Sequence, residues 1–569
     1  MSELVSERFQ VNHDLALAYL ASGDIKKAEI FSKRAWLLSP TCEEALPMYE
    51  KVMLQSNNLM ELKDAYRRVG EERGIIDGFA AALPFFYKSM YVFAFNGEGD
   101  RYIFDRDMLN RIRNMAREKQ FQPIFRKWSR GNRKLRVAYL VYGAMQPNSV
   151  IVKILKLIAK NHDRDLIEYA FFIPENEIVH GECFSQLQTS IKELQTDGNL
   201  VVISNGTSTS NVLDDCARQI YDYSPDILVT SALLADLKQY YIAALRPAPI
   251  IIGMTHGPPQ QFSDQILDWS ISWDPHAHAD CISNSTRIPL EIDLPVKPSE
   301  RLQRSDWNLN DEHIIIIAAG REIKFLDQRW WCTVSRVLRR HPQTVLLVVG
   351  MMTKPVFVED MLKDLMIEKR VRIFGWLKNY HDLLSISDIM IDTHPSGGGV
   401  TLMEGMAYGL PSITFKNNFL QLFDQTDWSP GEWIVGIQEL IADHGDFEGL
   451  YRILDRLIID DGYRNKIGKL CKNSINERLG STKRMVSRIE KVYEDVAERL
   501  LKEADNTGPL PEPEPFYASM IERKEFWQTQ ETYMSNRKIQ FIYKLEKNLK
   551  ISKITHYIIR YLIRIIKKK

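Results

Sequence analysis

Two separate series of short, unbroken apolar runs constrain this chain more than any other feature. The first comprises KLRVAYLV (134–141) and further runs at 168–173, 226–230, 248–254 and 267–273. The second comprises IIIIAAG (314–320), TVLLVVG (344–350), VRIFGW (371–376), DIMIDT (388–393) and PSITF (411–415). Runs of this length without polar alternation are strands covered on both faces, and the helical stretches between them supply the cover. Each series therefore predicts a parallel, doubly wound α/β sheet. Such sheets bind ligands beyond the carboxyl ends of their strands, so a tandem pair predicts a shared cleft.

The remaining sequence is arranged around these two units. With 569 residues the chain is too long for one hydrophobic core. Leu15, Ala16, Tyr19, Gly23, Asp24, Ala28, Ala35, Leu38 and Pro40 fall where a tetratricopeptide helix pair places its small, aromatic and turn residues, with Ser32 at the usual aromatic position. The pattern fades after Pro40, which predicts a short helical cap over 1–70, not a long solenoid. A helical connector follows at 71–132, then a Rossmann-like domain at 133–290 and a linker at 291–304. A second Rossmann-like domain spans 305–505, with helices over 447–505. A stiff proline-rich linker at 506–515 leads to a basic helical tail at 516–569.

Lysine plus arginine and aspartate plus glutamate each number 74, so overall charge selects no polyanion and predicts no nucleic-acid partner. The distribution is uneven, however. Between Arg537 and Lys569 there are eleven cations, and Glu546 is the only acid. Ile551, Ile554, Ile558, Leu562 and Ile565 recur at helical spacing among them, with Tyr557 and Tyr561 nearby. A basic helix with such a ridge suits an anionic membrane surface, or else packs its apolar side on the rest of the chain. The six cysteines are far apart and form no CxxC pair, which predicts neither zinc site nor disulfide framework and fits a reducing compartment. The charged start MSELVSERFQ lacks a signal-peptide core, and no apolar run reaches the roughly 18 residues of a membrane span. The expected location is cytoplasmic, with peripheral attachment to the inner face of the cell membrane through 537–569.

The chemistry concentrates in DTHPSGGGVTLMEGMAYGLPSITF, from Asp392 to Phe415. A strand ends, a glycine turn follows, and a helix starts near Val400. Backbone amides left open by Gly397, Gly398 and Gly399 suit a diphosphate, and Glu404, one turn on, suits a ribose diol. Arg321 and Lys324 follow the first strand of the same domain, where two cations neutralise a departing diphosphate without a metal. His256 closes the strand in RPAPIIIGMTHGPP (246–259) and is the candidate to touch the sugar or accept a proton. His394 is placed either beside the phosphates or as a fastener of its turn. The DRD sequences at 105–107 and 163–165 read as surface charge, not metal sites.

These motifs resemble the O-linked N-acetylglucosamine transferase-like glycosyltransferases of the GT-B architecture. The similarity is collinear from Leu135 to Phe415. It runs through KLRVAYL, Gln146-Pro147, SPDILVTSALLAD, RPAPIIIGMTHGPP, LDWSIS, Lys324 and the glycine-rich stretch. The resemblance implies two facing Rossmann-like domains behind a tetratricopeptide-like unit. It also implies that Lys324 binds the donor diphosphate, that Thr401 contacts phosphate and that Glu404 holds ribose. Gly143, in the loop after the first strand, joins the expected nucleotide-sugar site. The chain departs from the family at Gln146, at Leu233-Leu234-Ala235 and at Gly399-Val400, where histidines are usual. HGPP and Glu404-Gly405-Met406-Ala407 are also similar to retaining GT-B enzymes that elongate bacterial polysaccharides, although Ser396 replaces their second glutamate.

The expectation is a metal-independent transferase without cofactor. It moves a hexose or N-acetylhexosamine from a nucleotide-diphosphate sugar to a protein or surface-glycan hydroxyl. A non-catalytic scaffold and a sugar-nucleotide epimerase are the alternatives.

Overall fold

The computed structural model describes residues 3–501 apart from 39–44, 57, 77, 79–80, 87, 90–105, 142, 145–148, 176–181, 196–198, 205–208, 232–236, 255–265, 274–284, 296–302, 326, 352–355, 365, 378, 395–396, 417–429 and 444. The basic tail and the proline-rich linker lie outside the described residues.

The two apolar series form two parallel Rossmann-like sheets. The first contains β1 (Leu135–Leu140), β2 (Ile167–Ile173), β3 (Leu200–Ile203), β4 (Ile227–Thr230), β5 (Ile250–Met254), β6 (Trp269–Ser272) and β7 (Ser285–Arg287). Their order is β3-β2-β1-β4-β5-β6-β7. The second contains β8 (Ile314–Ala319), β9 (Thr344–Val349), β10 (Val371–Phe374), β11 (Ile389–Ile391), β12 (Ser412–Phe415) and β13 (Ile441–Ala442), ordered β10-β9-β8-β11-β12-β13. In each sheet the order reverses beside the first strand, between β1 and β4 and between β8 and β11, where this fold opens its binding crevice. β3, β7 and β13 add short edge strands to those predicted from the apolar runs. β7 is a Ser-Thr-Arg triplet and β13 only two residues long, too short for periodicity to show.

One local device recurs three times at the opposite, amino-terminal edge. Asp226, Asp268 and Asp388 each precede a strand and accept a backbone N–H from the neighbouring one, Arg136, Ile251 and Ile315 respectively, at 2.7–2.9 Å. An arginine satisfies each carboxylate further: Arg133, Arg246 and Arg304. These acids therefore stitch strands in register and leave the far edge for chemistry.

The helix Thr482–Leu501 follows the second domain in sequence, yet Met485, Val486, Ile489, Val492 and Val496 join the hydrophobic core of the first. Its buried Tyr493 and Glu490 meet the first domain's Tyr139 and His162. Tyr139 Oη lies 2.6 Å from His162 Nε2, and Glu490 Oε1 lies 2.9 Å from His162 Nδ1. Packing thus assigns this helix to the first domain, although sequence order alone extends the second to 505.

At the amino terminus, helices Glu3–Ser22 and Ile25–Leu38 form a helix pair, turning at Gly23 with φ of 80°. Helices Ala45–Gln55 and Leu59–Ile76 add a second hairpin where the repeat pattern had faded. It is held by Met48, Tyr49, Val52 and Tyr66, with Trp36 stacked on Tyr49. Among the described residues no helix is long and apolar enough to cross a membrane.

Candidate active site

The carboxyl ends of β8 and β11 bring most of the predicted donor residues together. After β8 the chain turns at Gly320, where a Cβ would crowd the Lys324 stem and Thr393 at 3.2 Å each. That space lets Lys324 cross to the β11 turn, where its Nζ donates to the Gly397 carbonyl at 2.6 Å. Burial pushes the Lys324 ammonium down to about 8; the Asp392 charge opposes this and the Arg321 charge adds to it. Arg321 itself is exposed beside Lys324.

Asp392 organises the glycine turn. Its buried Oδ1 accepts from the Thr393 and Gly398 amides at 2.9 and 2.6 Å, and its Oδ2 accepts from the Thr414 hydroxyl at 2.7 Å. A Cβ on Gly398 would lie 2.3 Å from Thr401 Oγ1, and one on Gly431 would lie 2.0 Å from Thr414 Oγ1. Glycine at both positions is therefore required by close approach. Gly399 caps the helix Val400–Ala407 without a side-chain hydrogen bond, so the first helical amides face the turn. In the sequence Asp392 reads only as a strand end. An acid closing the otherwise apolar DIMID was the available signal for its role.

Glu404 lies one turn along this helix with its side chain 20% exposed. Burial pushes its carboxyl up to about 7, against the pull of the first domain's Lys153. His381 Nε2 is 3.6 Å from Glu404 Oε1, and the His381 ring stacks on Tyr408. No local pattern in the sequence marks Lys153, Tyr380, His381 or Tyr408, because their meeting depends on tertiary packing.

His394 is buried behind the turn. Its Nδ1 lies 2.7 Å from Asp327, and its ring packs edge-on to Phe415 and Phe447. Gly143 follows β1 with φ of 72°, a left-handed turn at the first domain's switch point. His256, Gln146 and Pro147 lie outside the described residues. Among the described residues no cluster of His, Cys, Asp and Glu has the arrangement of a metal site. At Asp163-Arg164-Asp165, Asp163 accepts the Asp165 amide, and the turn precedes β2 at the sheet's amino-terminal edge.

The segment that carries this glycine turn, the helix after it, the half-buried Lys324 and Glu404 has a counterpart among known protein families. Residues 300–469 match the glycosyl transferases group 1 family. That segment covers the second sheet and every predicted donor residue from Arg321 to Glu404. The chain is 30% identical over 161 residues to N-acetyl-alpha-D-glucosaminyl L-malate synthase of Bacillus anthracis, covering 26% of this chain and 37% of that protein. It is 23% identical over 157 residues to the lipopolysaccharide core biosynthesis glycosyltransferase LpsE of Rhizobium meliloti (strain 1021), covering 27% and 42%. The chain thus spans less than half the length of these curated relatives. In structure it is similar to a mutant O-GlcNAc transferase of Thermobaculum terrenum, with a TM-score of 0.53 and 16% identity over 88% of this chain and 100% of that one. That likeness establishes the two-domain GT-B fold.

Proposed function

We propose that this chain is a glycosyltransferase that moves a hexose or N-acetylhexosamine from a nucleotide-diphosphate sugar to an acceptor hydroxyl. The bond between the anomeric carbon and the diphosphate oxygen breaks, and a bond to the acceptor oxygen forms. The acceptor proton passes to a base, for which His256 is the proposed residue, and the nucleoside diphosphate departs as an anion. Lys324 and Arg321 neutralise that anion, the amides around Gly397, Gly398 and Gly399 with Thr401 orient it, and Glu404 accepts the ribose hydroxyls. Gly143 completes the opposite wall. His394, tied to Asp327, fastens the turn from behind. The observation that carries this reading is Lys324 Nζ held 2.6 Å from the Gly397 carbonyl, beside the glycine-capped start of the helix that bears Glu404.

Relatives named for the synthesis of N-acetyl-alpha-D-glucosaminyl L-malate and for lipopolysaccharide core biosynthesis favour a small-molecule or surface-glycan acceptor. The amino-terminal helical hairpins favour a protein acceptor. The basic segment 537–569 would bring the active site to an anionic membrane, tested by flotation of the full chain and of residues 1–506 with anionic vesicles at low salt.

A nucleotide-sugar panel, read by nucleoside-diphosphate release with and without cell extract, tests the transferase reading. Acceptor-independent change of the sugar would identify an epimerase, and no turnover with any donor would leave a scaffold. Activity should persist in chelator, and strict dependence on added manganese or magnesium would overturn the metal-independent mechanism. Glu404→Ala should weaken donor binding by about 1.5–3 kcal/mol, the range of a charged hydrogen bond. Unchanged affinity by titration calorimetry, in a folded variant, would remove Glu404 from the site.

A further inference from the structure

The helix Val150–Asn161 of the first domain turns one face toward the second. Leu157 packs against the second domain's hydrophobic core. Lys153 sits one turn earlier on the same face and is exposed. Lys153 forms no ion pair among the described residues, yet its charge acts on both Glu404 and His381 across the cleft. The Glu404 carboxylate has His381 Nε2 at 3.6 Å and accepts no side-chain hydrogen bond among the described residues. A partly buried carboxylate in that setting depends on whatever cation stands near it.

We propose that Lys153 is a positioning residue of the donor site, a cation lent by the first domain that keeps Glu404 an anion while the two domains are seated together. The inference rests on the donor-site reading of Glu404. It makes nucleotide-sugar affinity sensitive to interdomain seating, because separating the domains withdraws the charge. The other groups facing this corner are Tyr380, His381, Asp382 and Tyr408. Both tyrosines are pushed up and stay neutral at the pH values concerned. Burial pushes the His381 imidazole down, Lys153 pushes it further, and Asp382 opposes both. Removing Lys153 therefore eases protonation of His381 as well, which offsets part of the loss at Glu404 and limits its size.

The test measures donor KM and kcat for full-length wild type, Lys153→Met, Lys153→Arg and Lys156→Met between pH 6 and 8.5. For Lys153→Met the ratio of mutant to wild-type donor KM should rise several-fold toward acid and return to one near pH 8.5, with kcat at saturating donor unchanged. Lys153→Arg should restore the wild-type profile, and Lys156→Met, an equal charge loss on the same helix, should leave it unmoved. In a Glu404→Gln background the pH dependence of the Lys153→Met ratio should vanish. His381→Gln removes the second titrating group and should enlarge the Lys153→Met effect. A pH-independent ratio for Lys153→Met, with donor binding still weakened by Glu404→Gln, overturns the role of Lys153 alone. Donor binding that Glu404→Gln does not change overturns the donor-site reading itself.

Discussion

Two side chains in the proposed donor groove are held away from their ordinary proton affinities in opposite directions. Burial pushes Glu404 up to about 7 and Lys324 down to about 8. Donor capture needs Glu404 ionised and Lys324 protonated, so kcat/KM for the nucleotide sugar should be bell-shaped with limbs near these values. Glu404→Gln should flatten the acid limb, and Lys324→Arg should carry the alkaline limb beyond the measured range. A profile level from pH 6 to 9 would contradict both assignments. The same shift has a stability consequence of definite sign. Because the folded state binds the Glu404 proton more tightly than the unfolded chain, its ionisation opposes folding above pH 7. The opposition fades as pH falls toward the ordinary 4.5. Glu404→Gln should therefore raise unfolding free energy at pH 8 by roughly 1–3 kcal/mol while weakening donor binding. A loss of stability at that pH would show that Glu404 supports the fold instead.

At the scale of elements, the turn between β11 and the helix Val400–Ala407 is shaped by contact, not by glycine's flexibility alone. Gly398→Ala would drive its Cβ into Thr401 Oγ1, so a loss of about 1–3 kcal/mol is expected together with weaker donor binding. Thr401→Ala removes the colliding atom, and the double variant should recover much of the stability. A double-mutant cycle showing no coupling would place the strain elsewhere. These elements also show what the sequence made legible. The long buried strands were readable because both faces are covered and apolar residues run without interruption. The glycine turn was readable because three consecutive glycines after a strand have few structural uses. Asp226, Asp268 and Asp388 were not, since an acid before an apolar run looks like a solvated loop until its neighbouring strand is known. His394 admitted two roles in the sequence, and only the position of Asp327 relates its Nδ1 to the back of the turn. Lys153 and His381 are separated by more than two hundred positions, so no local pattern could pair them with Glu404.

Across the whole molecule, the helix Thr482–Leu501 links the end of the second domain to the core of the first. Ile292 donates its amide to the Leu479 carbonyl, and Glu291 is buried against Arg484 and Arg488, so the chain crosses between domains twice at one place. Glu490 is the polar fastener of that return. Its Oε1 accepts from the Asp163 amide at 2.7 Å and contacts His162 Nδ1; burial pushes that imidazole's pKa down while Glu490 opposes the shift. Glu490→Leu would leave both groups unsatisfied in a closed interface, at about 1–3 kcal/mol for each. A chain of this size need not unfold in one step, so a single melting temperature would blur the effect. Hydrogen exchange resolves it by domain. Amides of Thr482–Leu501, Val150–Asn161 and β1 should lose protection in Glu490→Leu, while those of β8, β9 and β11 keep theirs. Because the proposed donor residues other than Gly143 and Lys153 sit on the second sheet, nucleotide-diphosphate affinity should fall only as far as withdrawal of the Lys153 charge carries it, and turnover, which needs both halves of the cleft, should fall further. Equal loss of protection in both sheets would mean that the two domains unfold as one unit and that this helix does not define a separable seam.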